Sequence, residues 1–482
     1  MSSPLNLSSK DLVVLTVESC GTEDYQKAIC GRVYNDKILD LDHYPSVIFQ
    51  AKTALAVQEA IQYCNNNNLR VCVRSGGHNW ESSWLQGPTT ALLDVGDLTS
   101  VQVDVESKLV HVGPGAKGDE LLQALDPYDL FFPTGHCKGV PLGGFILGGG
   151  YGIGFTRYGM ASTLVTAVDV VLADGTMVTA TADSEDPQQQ AIMNLLRGSY
   201  SGFPGVITKY TLGPLPTKPK GVMSGVLFYK LTDWTKAMEL GKSIALEGDD
   251  EDKKYFELTG VLTYAPPPIQ EQTGETMVTL LAIMVWTDDP KQGMELWQKY
   301  IANAEGCLVP PEPPTLVENV LQVPSSDGYP KARYQTQVFL GNQALGDANE
   351  LETVMGPVVE MWASSDNNNK PPPPSHTLMV CIHSNMKQVN GNRDLAVGFI
   401  PDMGIQTYAI YKDAKQDDEI QAQLANSHSR ILKSTKFQTS LVEGNTRKHG
   451  YQSGFADDHA MTRVHEWIHL LDPKGTFAGC PK

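Results

Sequence analysis

The alternation of apolar and polar residues in the first half of the chain predicts short strands and a few amphipathic helices. Thr53 begins a helix whose apolar residues recur at helical spacing as far as Cys64. The pair Asp174-Gly175 is a favoured two-residue turn, so the surrounding residues predict a hairpin over 168–180. The same criteria predict strands at 70–74, 91–95, 101–105, 108–113 and 205–212, and helices at 119–125 and near 188–197.

The second half of the chain contains longer β-like runs separated by helices. The proline-rich segment 212–221 interrupts the pattern and predicts a domain boundary. Beyond it, strands are predicted at 223–231, 255–265, 277–287, 333–342, 376–385, 396–402 and 405–411, and helices at 290–305, 348–364 and 417–434. This arrangement predicts one antiparallel sheet covered by helices.

Length, composition and net charge limit the number of domains, the partners and the cellular locations to be considered. A chain of 482 residues is too long for one core, and its net charge of −18 argues against nucleic acid or an anionic membrane as partner. No apolar run is long enough to span a membrane, and no secretory leader is recognised, so a cytoplasmic location is expected while secretion stays open. Cys20 and Cys30 are spaced to pair, but free thiols are expected in that compartment.

The segment 131–159 is the most unusual stretch of the sequence, with 10 glycines and Cys137 near its start. So many glycines disfavour a regular helix or strand, because glycine loses the most conformational freedom in either. The chain accepts this where its backbone must come close to a flat ligand or a phosphate. The segment therefore predicts part of the binding site of a large cofactor.

A second motif, RSGGHNW at 74–80, follows the strand predicted at 70–74. Small residues after a strand let backbone N–H groups converge on an anion, so Arg74 to Asn79 are expected to cradle a pyrophosphate. His78 lies within this turn. Alone, His78 or Cys137 is more simply a turn histidine or a buried thiol, but together both can attach covalently to one electrophilic ring.

These motifs carry a family resemblance over the segment from Tyr44 to Pro216. RSGGHNW, GHCKGVPLGG, the following GGGYGIGFTRYG and LRGSYSGFPGVITKYTL resemble the FAD-binding domain of the vanillyl-alcohol oxidase (PCMH-type) flavoprotein superfamily. Within it, they are most similar to the berberine bridge enzyme-like FAD-linked oxidases. The last forty residues match this branch moderately, and the middle matches only in its pattern of strands.

The resemblance implies an α+β fold with a PCMH-type FAD-binding domain of two subdomains over 1–215, its core at 40–215. A substrate-binding domain with an antiparallel sheet covered by helices follows over 216–434, and a segment over 435–482 returns to the first domain. It also implies bicovalent FAD, bonded through His78 to the 8α-methyl carbon and through Cys137 to ring carbon 6. The implied cofactor-binding residues are Arg74, Ser75, Gly76, Gly77, His78, Asn79, Cys137, Val140, Gly143, Gly144, Gly148, Gly150, Gly154, Val206 and Asn445.

The activity implied by the resemblance is that of an oxidase. Hydride passes from a sugar or secondary-metabolite alcohol to the flavin, and the electrons then reduce oxygen to hydrogen peroxide. Val140 matches the position where valine accompanies oxidases and leucine accompanies dehydrogenases. The main alternative is an oxidative ring-closing enzyme of natural-product biosynthesis with the same flavin, and a non-catalytic flavin-binding protein is a further one.

The catalytic base has three main candidates, and Tyr264, Gln337, His383 and Asn385 on the predicted strands of the substrate domain are further ones. Glu443 matches the place of a family tyrosine, and a carboxylate there can remove a hydroxyl proton. Tyr408 and Glu257 lie on predicted strands of the substrate domain, but the sequence does not show which face of that sheet is inward.

The C-terminal segment also contains His465-Glu466-Trp467-Ile468-His469, which fits the HExxH pattern of zinc hydrolases. No third ligand follows at a suitable distance. The flavoprotein interpretation expects a plain C-terminal helix there and no metal.

Overall fold

The structure is a computed structural model that describes residues 10–30, 35–37, 44–80, 82, 84–322, 331–365, 370–391, 393, 395–439 and 455–479. The strands are β1 (Leu12–Leu15), β2 (Val47–Ala51), β3 (Arg70–Arg74), β4 (Thr90–Asp94), β5 (Val101–Asp104), β6 (Leu109–Val112), β7 (Val165–Leu172), β8 (Met177–Thr181), β9 (Gly205–Leu212), β10 (Gly221–Lys230), β11 (Phe256–Tyr264), β12 (Met277–Thr287), β13 (Thr315–Val317), β14 (Arg333–Gly341), β15 (His376–Cys381), β16 (Met403–Tyr411) and β17 (Phe437–Thr439). The helices are α1 (Val17–Cys30), α2 (Ala54–Asn66), α3 (Gly118–Leu125), α4 (Leu142–Leu147), α5 (Phe155–Tyr158), α6 (Pro187–Leu195), α7 (Trp234–Ala245), α8 (Pro267–Thr273), α9 (Pro290–Tyr300), α10 (Ala348–Ala363), α11 (Met386–Val389), α12 (Asp417–Ser427) and α13 (Asp458–Leu471).

The first half of the chain forms two sheets around one hydrophobic core. In the four-stranded sheet β1-β2-β4-β3, the strands β2, β4 and β3 run parallel and β1 pairs antiparallel at the edge. Helix α2 packs here by its buried face, and Thr53 caps it by accepting a hydrogen bond from the amide of Ala56 at 3.2 Å, as predicted.

The five-stranded sheet β5-β6-β9-β7-β8 is antiparallel throughout. Its predicted β7–β8 hairpin is present. Asp174 accepts the amide of Thr176 at 2.8 Å, and Gly175 has a φ of +85° that suits glycine best. The segment that follows β9 then leaves this sheet, and β10 begins the next.

The second half is built on one antiparallel sheet of eight strands in the order β13-β10-β12-β11-β15-β16-β14-β17. One face packs against α7, α9, α10 and α12 in a separate hydrophobic core. The predicted α+β class, with an antiparallel sheet covered by helices, is confirmed. Met403, Ile405 and Ala409 of β16 face this core, so Gln406 and Tyr408 point to the opposite face, toward the first half of the molecule.

Several predicted elements differ from the structure. The helix predicted at 290–305 ends at Tyr300, and the strand predicted at 376–385 ends at Cys381. The strand predicted at 396–402 is irregular, because Gly398 has a φ of +91° and packs against Ala460 of α13. The helix predicted at 417–434 ends at Ser427. The glycine-rich stretch holds two short helices, α4 and α5, where no regular helix was expected.

The C-terminal segment returns to the first half, although β17 still belongs to the eight-stranded sheet and lies beyond the predicted boundary at 435. Helix α13 packs against α6, and its buried residues join the first core. Phe477 forms a parallel bridge with Val71 of β3. Cys30 is a buried free cysteine. Within the described ranges, no helix combines the length and apolar character needed to cross a membrane.

Candidate functional site

A deep cavity lies where the end of β3 meets the start of the glycine-rich stretch. Its empty volume is about 1270 Å³, which includes space open to solvent. One wall is the loop Arg74–Asn79 and another is the segment from Val140 to Phe145. The remaining lining comprises Val71, Cys72, Val73, Trp84, Gln86, Val95, Pro114, Leu147, Tyr200, Phe203, Gly205, Ile207, Tyr210, Phe477 and Gly479. The residues of RSGGHNW and those after Cys137, which are far apart in sequence, therefore share one cavity.

The two walls approach so closely that only glycine fits at their junction. A Cβ added at Gly76 would lie 2.2 Å from Cγ of Pro141, and one at Gly143 would lie 2.8 Å from Oγ of Ser75. Contacts this short are sterically forbidden, so glycine at 76 and 143 is required by backbone approach.

The guanidinium of Arg74 has a structural role. It forms a buried ion pair with Asp94, directly across the β3–β4 ladder, and donates to the carbonyls of Ile29 at 2.6 Å and Ala28 at 2.9 Å. It also stacks over Trp84 at 4.9 Å. The predicted anion cradle therefore has to rely on the backbone and small residues of this loop.

His78 is half-buried on the cavity wall, with its ring edge-on to Trp80 at a centroid distance of 4.8 Å. Burial disfavours the charged form and lowers the pKa of His78 to about 4, although a backbone hydrogen bond partly opposes this. At neutral pH the imidazole is uncharged, and a ring nitrogen retains its lone pair.

Cys137 is half-buried in a loop that is fixed at several points. The amide of Gly139 donates to Asp119 at 3.1 Å, and the carbonyl of Val140 accepts from the amide of Gly118 at 3.0 Å. The preceding residue, His136, forms a short hydrogen bond through Nε2 to Glu257 of β11.

Glu257 is buried and accepts hydrogen bonds from three segments. Besides His136, it accepts from the amide of Gly154 at 2.7 Å and from Nε1 of Trp286 at 2.9 Å. Partial desolvation lowers the pKa of His136, but the adjacent Glu257 carboxylate outweighs this and the pKa is raised overall. Glu257, predicted as a catalytic base, thus already accepts from three donors.

Of the other predicted cofactor residues, two glycines shape the backbone of the glycine-rich stretch, whereas Val206 is buried in the first core. Gly148 ends α4, and Gly150 packs against Ala161 so closely that an added Cβ would lie 2.5 Å from it. Val206 is fully buried in the first core, and its neighbours Gly205 and Ile207 line the cavity instead. Alternation along β9 explains this shift, because successive side chains point to opposite faces.

Sequence reasoning missed Tyr200, Phe203 and Tyr210 on the cavity wall. Tyr200 has a φ of +47°, rare for a residue other than glycine, and approaches Gly144. The sequence carries no signal for this conformation.

The inward face of the eight-stranded sheet lies over the glycine-rich stretch and is anchored at two places. At one, Trp80 packs with Tyr334 and Tyr408; at the other, Phe131 packs with Trp286. Partly exposed side chains occupy the region between them, namely Thr259, Val261, Leu280, Ala282, Leu378 and Gln406. The hydroxyl of Tyr408 donates to Gln406 at 2.9 Å.

Glu443 and Asn445 lie outside the described residues. His465 and His469 lie on α13 and line a second cavity away from the glycine-rich stretch. Among the residues that the structure describes, no cluster of three or more potential metal ligands is present.

Comparison with known sequences agrees with this geometry. The model of the FAD binding domain family matches residues 45–181, which include RSGGHNW, Cys137 and the glycine-rich stretch. The FAD-linked oxidoreductase nodO of Hypoxylon pulicicidum is 28% identical over 236 residues, which are 48% of this chain and 51% of that protein. The chain thus spans about half the length of this curated relative.

Comparison with solved structures extends the similarity to nearly the whole chain. Aclacinomycin oxidoreductase superposes with a TM-score of 0.75 at 18% identity, covering 97% of this chain and 98% of that one. Berberine bridge enzyme from Eschscholzia californica superposes with a TM-score of 0.73 at 16% identity, covering 97% and 95%. The chain therefore matches an FAD-binding domain over residues 45–181 and shares its fold with these solved structures over nearly its whole length.

Proposed function

We propose that this protein is an FAD-linked oxidase whose flavin is held covalently by both His78 and Cys137. Its substrate class is an alcohol, either a sugar or a hydroxyl of a secondary metabolite, and its products are the carbonyl compound and hydrogen peroxide. The observation that carries the proposal is the shared cavity, because His78 and the segment that follows Cys137 wall the same glycine-lined space.

The cavity suits a flavin dinucleotide in shape and chemistry. The loop Ser75–Asn79 offers backbone N–H groups beside bare glycines, which is how proteins hold a pyrophosphate. Apolar side chains from Val73, Phe203 and Ile207 provide flat packing surfaces for rings. When bound, FAD supplies the acceptor for hydride and the donor of electrons to oxygen.

His78 has the protonation state that covalent attachment requires. Its lowered pKa of about 4 leaves the ring uncharged at neutral pH, and an uncharged imidazole is the form that can bond an electrophilic methyl carbon. Val140 lines the same cavity, and the valine at this position supports oxygen as the electron acceptor.

Tyr408 is the better-supported proton acceptor of the two candidates that the structure describes. Its hydroxyl donates to the side-chain amide oxygen of Gln406, on the sheet face that looks toward the cavity side of the molecule. Glu257 already accepts three hydrogen bonds. Glu443 remains a prediction from the sequence.

Acid precipitation tests the covalent bonds directly. We expect a yellow pellet from the wild-type protein and from the single variants His78→Ala and Cys137→Ala, since each variant keeps one bond. Only the double variant should release all flavin to the supernatant. Complete release from the Cys137→Ala protein would overturn the bicovalent proposal.

Oxidase activity is tested on the same preparation. Addition of a substrate alcohol without air should bleach the flavin absorbance, and admission of air should restore it with one equivalent of hydrogen peroxide. Product analysis then distinguishes a carbonyl product from a ring-closed one. A bleached flavin that air fails to reoxidise would contradict the assignment of oxygen as acceptor.

A further inference from the structure

The hydrogen bond between His136 and Glu257 suggests that Glu257 has a role other than that of a catalytic base. His136 directly precedes Cys137, and adjacent α-carbons lie only about 3.8 Å apart. Its ring is tied through Nε2 to a carboxylate from β11, 121 residues further along the chain. The same carboxylate holds the amide of Gly154 in the glycine-rich stretch.

We propose that Glu257 and His136 form a positioning pair, which fixes the Cys137 loop against the glycine-rich stretch and keeps a charged imidazole beside the Cys137 thiol during its attachment to flavin. This inference rests on the proposed bicovalent cofactor. It assigns Glu257 to assembly of the holoenzyme and leaves proton transfer from the substrate to another group.

The chemistry of attachment explains why a cation is useful there. The reactive form of cysteine is the thiolate, and a neighbouring imidazolium lowers the pH at which it forms. In the overall step, the S–H bond of Cys137 and one ring C–H bond are lost and one S–C bond forms. The two electrons and two protons released reduce one oxygen molecule to hydrogen peroxide, so the step balances.

The contact with a buried carboxylate favours the charged form of His136, whose own side chain is 43% exposed. Glu257 is 6% exposed, and a carboxylate in such a place needs a compensating partner. The raised pKa of His136 agrees with a protonated ring. The other charged groups on the segments around this loop include Lys138 and Asp119, Lys117 paired with Glu120, and Arg157 paired with Asp288. Glu257 is therefore the carboxylate that contacts the His136 ring among the described residues.

The test isolates the cysteine bond by working in the His78→Ala background. Protein is incubated with free FAD in air between pH 5.5 and 9.5, and the flavin retained in the acid pellet is followed over time. We expect His136→Gln and Glu257→Gln to move the pH of half-maximal attachment rate upward by about one unit or more, toward the ordinary thiol value of about 8.5.

Asp119→Asn is the matched control, because it removes a carboxylate charge that anchors the same loop at Gly139 while keeping an acceptor oxygen. Its pH profile should match that of the parent. The conservative amide at 257 can still accept from Gly154 and Trp286, and His136→Gln serves as the second variant if Glu257→Gln fails to fold.

An unchanged pH profile in folded His136→Gln protein would overturn the inference while leaving the bicovalent flavin intact. Absence of any pelleted flavin in the His78→Ala parent, at every pH, would overturn the bicovalent proposal and this inference with it. The result for the His78→Ala parent therefore shows whether the bicovalent proposal holds before any variant is used to test the positioning pair.

Discussion

At the scale of single residues, the structure separates groups that hold the cavity wall from groups that face into it. Arg74 is the clearest case, because its position in the motif suggested a phosphate ligand and its guanidinium is instead bound by Asp94 and two helix carbonyls. The motif arginine thereby fixes the end of β3 from which the anion loop starts.

Replacing Arg74 by Met should therefore destabilise the whole protein. Removing one partner from a buried ion pair costs about 3–5 kcal/mol, since the remaining carboxylate of Asp94 is left uncompensated. Urea unfolding followed by tryptophan fluorescence should show a lower midpoint. The exposed pair of Lys27 and Glu23 provides the control, and Lys27→Met should leave the midpoint unchanged. Equal midpoints for both variants would contradict the structural role of Arg74.

Glu257 illustrates which properties of a single residue can be predicted from the sequence and which cannot. Its place on a strand was predictable from alternation, and so was its candidacy as a base. Its partners lie 121, 103 and 29 residues away, and no local pattern encodes such pairings. His78 and Cys137 were identified because each lies in a motif whose glycines require a special backbone.

At the scale of elements, the junction between β3 and α4 controls the cavity. Pro141 lies at the N-terminal end of α4, and its ring fills the space over Gly76. Gly76 and Pro141 are 65 residues apart in the chain, yet their contact leaves no room for a methyl group at position 76.

Gly76→Ala should consequently separate the two walls and impair flavin binding. Overpacking of this kind costs about 1–3 kcal/mol, and the displaced loop carries His78 with it. The ratio of flavin to protein absorbance in the purified variant should fall well below that of the wild type. Gly356→Ala in α10 is the matched control, because an added Cβ there meets nothing within 4 Å. Full flavin content in the Gly76→Ala protein would refute the steric argument.

Element prediction succeeded where a local signal was complete. The Thr53 cap and the Asp174-Gly175 turn each specify a boundary through their own hydrogen bonds. The strand predicted at 396–402 is wrong, because the apolar residues of this segment pack as an irregular loop against α13. Such packing depends on tertiary structure, which a local sequence pattern does not encode. The sequence likewise does not show which face of the eight-stranded sheet points inward. The positions of the helices in the structure determine it.

At the scale of the whole molecule, buried histidines link stability to pH. Burial lowers the pKa of His383 and His428 to about 4 in each case. The unfolded chain binds these protons near pH 6.5, so between about 6.5 and 4 it holds more protons than the native state. The free energy of unfolding must therefore decrease as pH falls through this window.

Each such histidine contributes a slope of up to about 1.4 kcal/mol per pH unit. His428 is the best residue to test, because it is fully buried, stacks on Phe339 and lies far from the flavin motifs in sequence. Urea titrations between pH 7 and pH 4.5 should show a smaller slope for His428→Phe than for the wild type. Identical slopes would show that His428 already titrates normally in the native state.

The contact between Glu257 and His136 also sets an order of events during synthesis. A ribosome releases the Cys137 loop well before β11 has been translated, so the loop emerges without the carboxylate that anchors it. A nascent chain stalled before residue 257 lacks this carboxylate, so the proposed cysteine bond to flavin should form in it more slowly at neutral pH than in the complete protein. If the bond to Cys137 forms as proposed, its rapid formation at neutral pH would report that both halves of the polypeptide have been made and docked.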